Sequence, residues 1–511
     1  MRARTVACSF FVMLLACTGS STALDDADSP PLPTLPPRPD AREAAGPIVP
    51  MRELVFAVTG EVRGEVEACG CPTTPYGGFA RRARLVEALR SQGPPVFHVD
   101  AGEMLVKGLH TEPDAARRAR ARAVLDVSAA VGLDAWAGSA VDLMPGGLDA
   151  LRAAGALAAN WGGALPPTRV VDRGGVRVGF LGLGAPPDDA PRVAPVEAAR
   201  AAIEASPPAD VWVALSNLSA ADNVTIAEEV AAVRVVFATS GDRLDAPRAT
   251  RGAPVIEAAD RGRYVNVTRV ALGTSTDRPW ELEEHGPLRD LSKKRAEPGA
   301  RPDRPDVVAA RARAEAALAG RNVVHTELIP LGSTWDGASD ADEALTRFRS
   351  SLATTAAEAA AARPERSGYA GASACLNCHE HKQRYTLWLY DPHARSAWEA
   401  LVSRGEADNP DCVACHSTGW GRPGGFGELT PEQIGRWKSV QCEACHGPLA
   451  AHPNGSARPV PPGPEMCLGC HDEANSPDFD YASYVTRISC HRARVDTAAP
   501  TRPAGDGFGP R

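Results

Sequence analysis

The chain has no basic run of the kind that follows a phosphate backbone, and its formal net charge is −8 over 511 residues. A nucleic-acid partner is therefore not expected. Beyond its first residues it also lacks any apolar stretch long enough to cross a bilayer as a helix. The one early apolar run, residues 6–16, follows Arg2 and Arg4 and is too short to span. It reads as a targeting segment, so an exported protein is expected. After residue 368 strand patterning fades and turn residues multiply. A self-sufficient apolar core is not expected there.

What that last region does have is cysteine and histidine. Four Cys-x-x-Cys-His motifs follow one another: Cys375-Leu376-Asn377-Cys378-His379, Cys412-Val413-Ala414-Cys415-His416, Cys442-Glu443-Ala444-Cys445-His446 and Cys467-Leu468-Gly469-Cys470-His471. Each reads as a c-type haem attachment site. Two thiols about one helical turn apart reach the two vinyl groups of a porphyrin, and the next residue lies under the iron as its proximal ligand. Paired Cys-x-x-Cys motifs also build zinc sites. Zinc does not explain why histidine follows the second cysteine every time. Four covalently bound haem c groups are expected.

Twelve histidines occur in the chain, and eight fall between residues 379 and 491. Four are the proximal set, His379, His416, His446 and His471. The other four, His381, His393, His452 and His491, are candidate distal ligands, each with a surface or propionate-bonding role as the alternative. Two imidazoles on every iron would suit electron transfer; an iron without its second ligand would offer an open site.

The remaining cysteines fit an exported protein. The apolar run ends Leu14-Leu15-Ala16-Cys17, which resembles a bacterial lipobox with Cys17 as the lipidated first residue. The alternative is an ordinary signal peptide cleaved near Ala23. Thr18, rather than Asp, after Cys17 favours the outer membrane. Cys69, Cys71 and Cys490 are left over. Cys69-Gly70-Cys71 offers a redox pair, a soft-metal site or a contact beside a haem; the alternative is two unreactive thiols, or one paired with Cys490, and a disulfide across one residue is strained.

The organisation follows from composition. Residues 1–23 are the signal segment and 24–52 a Pro-rich tether. Apolar runs at 54–59, 96–99, 176–183, 211–215, 233–238 and 265–272 alternate with Ala- and Arg-rich stretches such as 78–90 and 115–131. That alternation predicts an α/β domain over 53–275. Residues 276–367 read as a linker and helical spacer, with helix candidates at 307–319 and 340–361. A small, mainly α domain with four haems is expected over 368–492, and a disordered tail over 493–511.

The stretch from Tyr369 through His379, then Trp388 and His393-Ala394-Arg395-Ser396-Ala397, resembles the multihaem cytochrome c-554 family. Val440-Gln441-Cys442-Glu443-Ala444-Cys445-His446-Gly447-Pro448 with His452, and Ser476-Pro477-Asp478-Phe479 leading to Ile488 and His491, resemble its later segments. The resemblance implies electron transfer, with His393, His452 and His491 as distal ligands. It also implies that one haem can remain five-coordinate.

The α/β region resembles calcineurin-like metallophosphoesterases of the 5'-nucleotidase type, which implies an α/β sandwich. The resemblance is carried by Thr59–Gly64, Gly77-Gly78-Phe79-Ala80-Arg81, Val99-Asp100-Ala101-Gly102-Glu103, Ala158-Ala159-Asn160 and Val178-Gly179-Phe180-Leu181-Gly182-Leu183. The metal ligands of that family do not match. Glu61 and Arg63 stand at its first Asp and His, Glu103 at its bridging Asp, Ser139-Ala140 at its Asn-His, Asn217 at a His, and Gly241-Asp242-Arg243-Leu244 at its Gly-His-x-His. Without those ligands the usual two-metal activation of water is not expected.

Three functions are therefore in view. The first is an exported, lipid-anchored tetrahaem cytochrome passing electrons between periplasmic or membrane redox partners. The second is a haem oxidoreductase acting on a small nitrogen or sulfur species, and the third a metal-dependent phosphoester hydrolase.

Overall fold

The computed structural model describes residues 51–488 apart from 69–74, 106–113, 144–146, 189, 240–245, 259–260, 274–279, 298–299, 363–367, 380–383, 453–454, 456, 473–474 and 477. The expectations for the signal segment, Cys17, Cys69, Cys71, Asp242, His381, Cys490, His491 and the C-terminal tail fall outside the described residues.

Strand β1 (Arg52–Thr59) is buried at every position after the first, as a central strand covered on both faces must be. Its side chains alternate between two cores. Leu54, Phe56 and Val58 face one, and Val55 and Ala57 face the other. The same logic shapes β2 (Val96–Asp100), β3 (Ala135–Trp136), β4 (Thr168–Arg173), β5 (Val176–Leu183), β6 (Val211–Ser216), β7 (Val233–Ala238), β8 (Val255–Glu257), β9 (Tyr264–Leu272), β10 (Glu281–Leu282) and β11 (Val323–Pro330). They form two sheets, of order β10-β11-β9-β1-β2-β3 and β4-β5-β6-β7-β8. In the first, β1, β2 and β3 are parallel and β9 runs antiparallel to β1 and β11. In the second, β5 to β8 are parallel and β4 is an antiparallel edge.

The sheets pack face to face through Phe56, Phe97, Phe180 and Phe237, with ring centroids 5.4 Å apart for Phe56 and Phe237. Full burial of such a side chain stabilises by roughly 1.5–3 kcal/mol. Helices cover the outer faces. They are α1 (Phe79–Arg90), α2 (Asp114–Val131), α3 (Gly147–Ala153), α4 (Pro195–Glu204), α5 (Ala220–Glu229), α6 (Pro287–Ala296), α7 (Pro305–Ala317) and α8 (Asp342–Ala361). α1, α2 and α8 pack on the first sheet through Phe79, Val86, Val124, Val127, Phe348 and Leu352. α4 and α5 pack on the second through Ala199, Ala202, Ile226 and Ala227. The result is a four-layer α/β sandwich, the fold class that the sequence predicts.

One boundary differs. Residues 276–367 are not a spacer. β11 lies between β9 and β10 inside the first sheet, and α6 and α7 bury Leu288, Leu291, Val307 and Ala310 against Ala271 and Val323. Polar composition hides this because α6 commits only Leu288, Leu291, Ser292 and Arg295 to its inner face. Glu53 accounts for the buried Arg295, pairing with it and with Arg269. β1 also begins at Arg52, within the last residues read as tether.

The C-terminal ends of β1 and β2 open onto a polar edge. Thr59 donates to Asp100 at 2.7 Å, and the Gly102 amide donates to the other Asp100 oxygen at 2.9 Å. Gly102 has φ +125°, and a Cβ there would lie 2.2 Å from the Asn217 amide nitrogen, so only glycine fits. Asp142 is buried nearby, accepting from the Leu105 amide at 2.7 Å through one oxygen, while its other oxygen has no hydrogen-bond partner. Burial pushes this carboxyl up from 3.8 to about 8.

The sign of the resulting pH dependence follows from linkage. Between those two values the unfolded chain releases a proton that the folded chain retains, so stability falls as pH rises toward about 8. Asp142→Asn removes that slope. Urea midpoints followed by circular dichroism should show the variant more stable than wild type at pH 8, with the gap closing toward pH 4. Equal pH dependence in both proteins would refute the assignment.

Candidate haem sites and the α/β cleft

The C-terminal region is built from short helices: α9 (Ala372–His379), α10 (Arg384–Leu389), α11 (Pro392–Arg395), α12 (Ala397–Val402), α13 (Pro410–His416), α14 (Pro431–Trp437), α15 (Cys442–His446), α16 (Pro464–Leu468) and α17 (Tyr481–Val485). Three of the four Cys-x-x-Cys-His motifs end a helix with their histidine, on α9, α13 and α15. The fourth starts at the end of α16. α13 starts by local chemistry: Pro410 fixes the first turn and the Asn409 side chain accepts from the Asp411 amide at 3.1 Å.

Tertiary contacts then interleave the motifs. Glu443, between the cysteines of the third motif, is buried. Its carboxylate accepts from the amides of Ala370 and Gly371, at 2.9 and 2.7 Å, and of Leu449 at 2.7 Å. A negative charge thus caps the start of α9 and ties the first motif to the third. Gln441 accepts from the Ala372 amide at 2.7 Å beside it. The Cys415 thiol reaches the Gly469 carbonyl at 3.9 Å, which brings the second motif to the fourth. Trp388 donates to the Val440 carbonyl at 3.0 Å, holding the helix before His393 against the third motif. Sequence reasoning did not single out Glu443 or Gln441. The signal was a carboxylate inside a haem motif, which means little until its partners are known.

The imidazoles are held by one nitrogen. Nδ1 of His416 is hydrogen-bonded to the Ala397 carbonyl, that of His446 to Val460 at 3.1 Å, and that of His452 to Ala457 at 3.2 Å. A carbonyl only accepts, so Nδ1 carries a proton and donates it, and Nε2 is the nitrogen not engaged by that bond. His393 Nδ1 bonds Asp391 at 3.0 Å, and His471 Nδ1 bonds the Ser476 hydroxyl at 2.9 Å. This is the arrangement of a metal-ligating histidine with its outer partner. Burial lowers the pKa values of His416 and His471, which favours the neutral, ligating form.

Two pairs of rings face each other. The His379 and His452 centroids are 6.5 Å apart with planes at 24°, and those of His393 and His471 are 6.0 Å apart at 81°. His471 also stacks on Phe479 at 4.6 Å. Among the described residues no second imidazole pairs in this way with His416 or His446. The local core is small, with Trp398, Leu401, Val413, Phe426 and Trp437 at its centre. Leu389, Tyr390, Val402, Val460 and Leu468 are exposed around it. Free thiols in pairs, histidines with fixed Nδ1 and open apolar walls fit covalent haem.

The second motif sits against the α/β domain. Arg120 of α2 donates to both oxygens of Asp411, at 3.0 and 2.6 Å, and to the Gly64 carbonyl at 3.3 Å. Burial, then the carboxylates of Asp411, Glu406 and Glu67, push the Cys412 thiol well above its ordinary value.

In the α/β cleft the Arg63 guanidinium lies 3.0 Å from Glu103 and 3.9 Å from Glu61. Glu61, Arg63 and Glu103 adopt φ of 51°, 47° and 58°, a strained region for residues with a Cβ. Asn217 donates to the Gly138 carbonyl at 3.0 Å and accepts from the Ala185 amide at 3.0 Å, so its amide is committed to the backbone. Among the described residues no group of three or more His, Cys, Asp or Glu is arranged to hold a metal. The residues present do not fit a dinuclear centre: an arginine cation lies against the carboxylates that would hold one.

Residues 374–447 match the family described as cytochrome c554 and c-prime, and residues 437–476 match the doubled CXXCH motif. No curated protein shows a significant match to the chain. Among solved structures the chain is similar to the 5'-nucleotidase precursor of Thermus thermophilus, at 18% identity and TM-score 0.41 over 58% of each chain. It is similar to the sulfate thiohydrolase SoxB of Thermus thermophilus at 12% identity and TM-score 0.42, covering 59% of this chain and 60% of that one. It is also similar to the calcineurin-like phosphoesterase YfkN of Bacillus subtilis at 15% identity and TM-score 0.40, covering 59% of this chain and 98% of that one. It thus spans about three fifths of the length of the first two. The C-terminal region is a multihaem c-type cytochrome domain with covalently bound haem c, following an N-terminal α/β domain that resembles 5'-nucleotidases and calcineurin-like phosphoesterases.

Proposed function

We propose that the chain is an exported, lipid-anchored cytochrome with four haem c groups that relays electrons between redox partners on the periplasmic side of the envelope. The supporting observation is the spacing of the imidazole pairs. Metal–nitrogen bonds of about 2 Å on both sides of one ion put two imidazole centroids about 6 Å apart. His379 with His452, and His393 with His471, stand at 6.5 and 6.0 Å. Each pair would hold one iron, with the motif histidine as the proximal and the other as the distal ligand. Bound haem c supplies a reversible one-electron couple, and two imidazoles close its iron to small molecules. Asp391, the Ala457 carbonyl and Ser476 engage Nδ1 of His393, His452 and His471, which leaves their Nε2 atoms for the iron. His491 and His381 remain as candidates, His491 as a distal ligand of one of the other haems and His381 as a ligand of a neighbouring haem or a partner of a propionate.

A second reading, a haem oxidoreductase acting on a small nitrogen or sulfur species, is favoured by one observation. His416 and His446 have no partner imidazole among the described residues, so the iron at either is the candidate for an open site.

Pyridine haemochrome analysis of the purified protein should give four haems per chain. Low-temperature EPR should separate two low-spin species, one rhombic from the near-parallel pair His379 and His452, and one strongly axial from the near-perpendicular pair His393 and His471. His452→Ala should convert one haem to a high-spin form that binds cyanide; an unchanged spectrum removes His452 as a ligand. A high-spin, cyanide-sensitive fraction already present in wild type would support the second reading.

The cleft gives a further expectation. With manganese or zinc added, release of phosphate from a nucleoside monophosphate should stay at the rate without protein, because Arg63 already pairs with Glu103. Metal-dependent turnover that Glu103→Gln abolishes would restore the hydrolase reading.

A further inference from the structure

One buried cation of the α/β domain reaches the cytochrome region at its second haem motif. Arg120 is 5% exposed at its side chain and Asp411 12%, and their forked contact is 2.6 Å at its shorter arm. Arg120 also stands 5.6 Å from the Phe348 ring of α8, which fixes the guanidinium from a second side. Asp411 immediately precedes Cys412, so this carboxylate lies one residue from a haem thioether. Charges of both signs surround it, including Arg404, which acts on His416. Glu67 and Glu406 act on Cys412, and Glu406 and Asp408 act on Arg349, which pairs with Glu67 at 2.7 Å. Arg120 and Asp411 are the poorly solvated charges among these, so they act on the iron with the least screening.

We propose that the α/β domain sets the reduction potential of the haem at Cys412, Cys415 and His416, with Arg120 as the positioning residue that neutralises Asp411. The inference rests on the reading that a haem is attached there. A buried carboxylate beside a haem favours ferric iron, since the oxidised group carries one more positive charge. Arg120 cancels that bias and raises the potential. The Fe(III)/Fe(II) couple exchanges one electron with a redox partner, and neither Arg120 nor Asp411 needs to change protonation. The α/β domain is then an electrostatic partner of the cytochrome: it selects where on the haem series an electron rests. The same guanidinium reaches the Gly64 carbonyl, in the loop that carries Glu61 and Arg63 along the cleft.

The test is a spectropotentiometric titration of the full-length holoprotein, comparing wild type with Arg120→Gln, Asp411→Asn, the double variant and Arg120→Lys. Arg120→Gln should lower the potential of one component, and Asp411→Asn should raise that same component. The double variant should return it toward wild type, and Arg120→Lys should stay close. Opposite signs at the two positions are not produced by loosened packing. If Arg120→Gln fails to fold, the rise in Asp411→Asn and the near-wild-type value of Arg120→Lys decide the matter. Components that all move together, or one that moves the same way in both single variants, would overturn the proposal. Mass spectrometry of the peptide containing Cys412 and Cys415 separates the two failures. A peptide without haem refutes the reading beneath; a haem peptide with unmoved potentials refutes the role of Arg120.

Discussion

Fixing an imidazole through Nδ1 is the constraint on which the cytochrome region depends. A ligand that rotates cannot hold an iron, and a protonated Nε2 cannot bind one. The chain meets this with acceptors from different places: Ala397 for His416, Val460 for His446, Ala457 for His452, Asp391 for His393 and Ser476 for His471. Those acceptors lie in turns and short helices, which explains why so irregular a segment is needed. Regular strands or long helices would spend their carbonyls on their own ladders.

A domain with so small a core of its own cannot stand on apolar burial alone. Glu443 and Gln441 lock the first and third motifs together through backbone amides. Helix α8 provides the other support. It buries Phe348 and Leu352 in the α/β core, and its Ala360 carbonyl accepts from the Gly424 amide of the cytochrome region. Between the two domains runs the pair Arg120 and Asp411. Removing one partner of a buried ion pair costs roughly 3–5 kcal/mol, because the other charge is left desolvated. Such a pair fixes relative placement whatever its net contribution to stability.

The α/β cleft holds a strained backbone by main-chain bonds between two loops. Glu61, Arg63 and Glu103 hold left-handed conformations that cost roughly 1–3 kcal/mol each. The backbone between them is pinned by bonds from Glu61, Arg63 and Gly64 amides to the carbonyls of Gly102, Glu103 and Met104. Those bonds do not depend on a metal, and Arg63 supplies a positive charge beside Glu103. The absence of ligand histidines was legible in the sequence; the arginine pairing was not, since it depends on two loops meeting.

What the sequence by itself determined is the local chemistry. The haem motifs are contiguous, so spacing along a helix turn reveals them without a fold. The apolar runs of β1, β2, β5, β6, β7 and β9 were equally plain, because a strand buried on both faces carries its environment in its composition. β11 was missed, since its later residues alternate in burial and include Glu327 and Pro330. Only the tertiary structure decided which histidines face one another and which domain reaches which motif. His379 meets His452, and His393 meets His471, across long stretches of chain. Pairing at a distance is set by packing and by buried partners such as Glu443 and Arg120, and no local pattern encodes it.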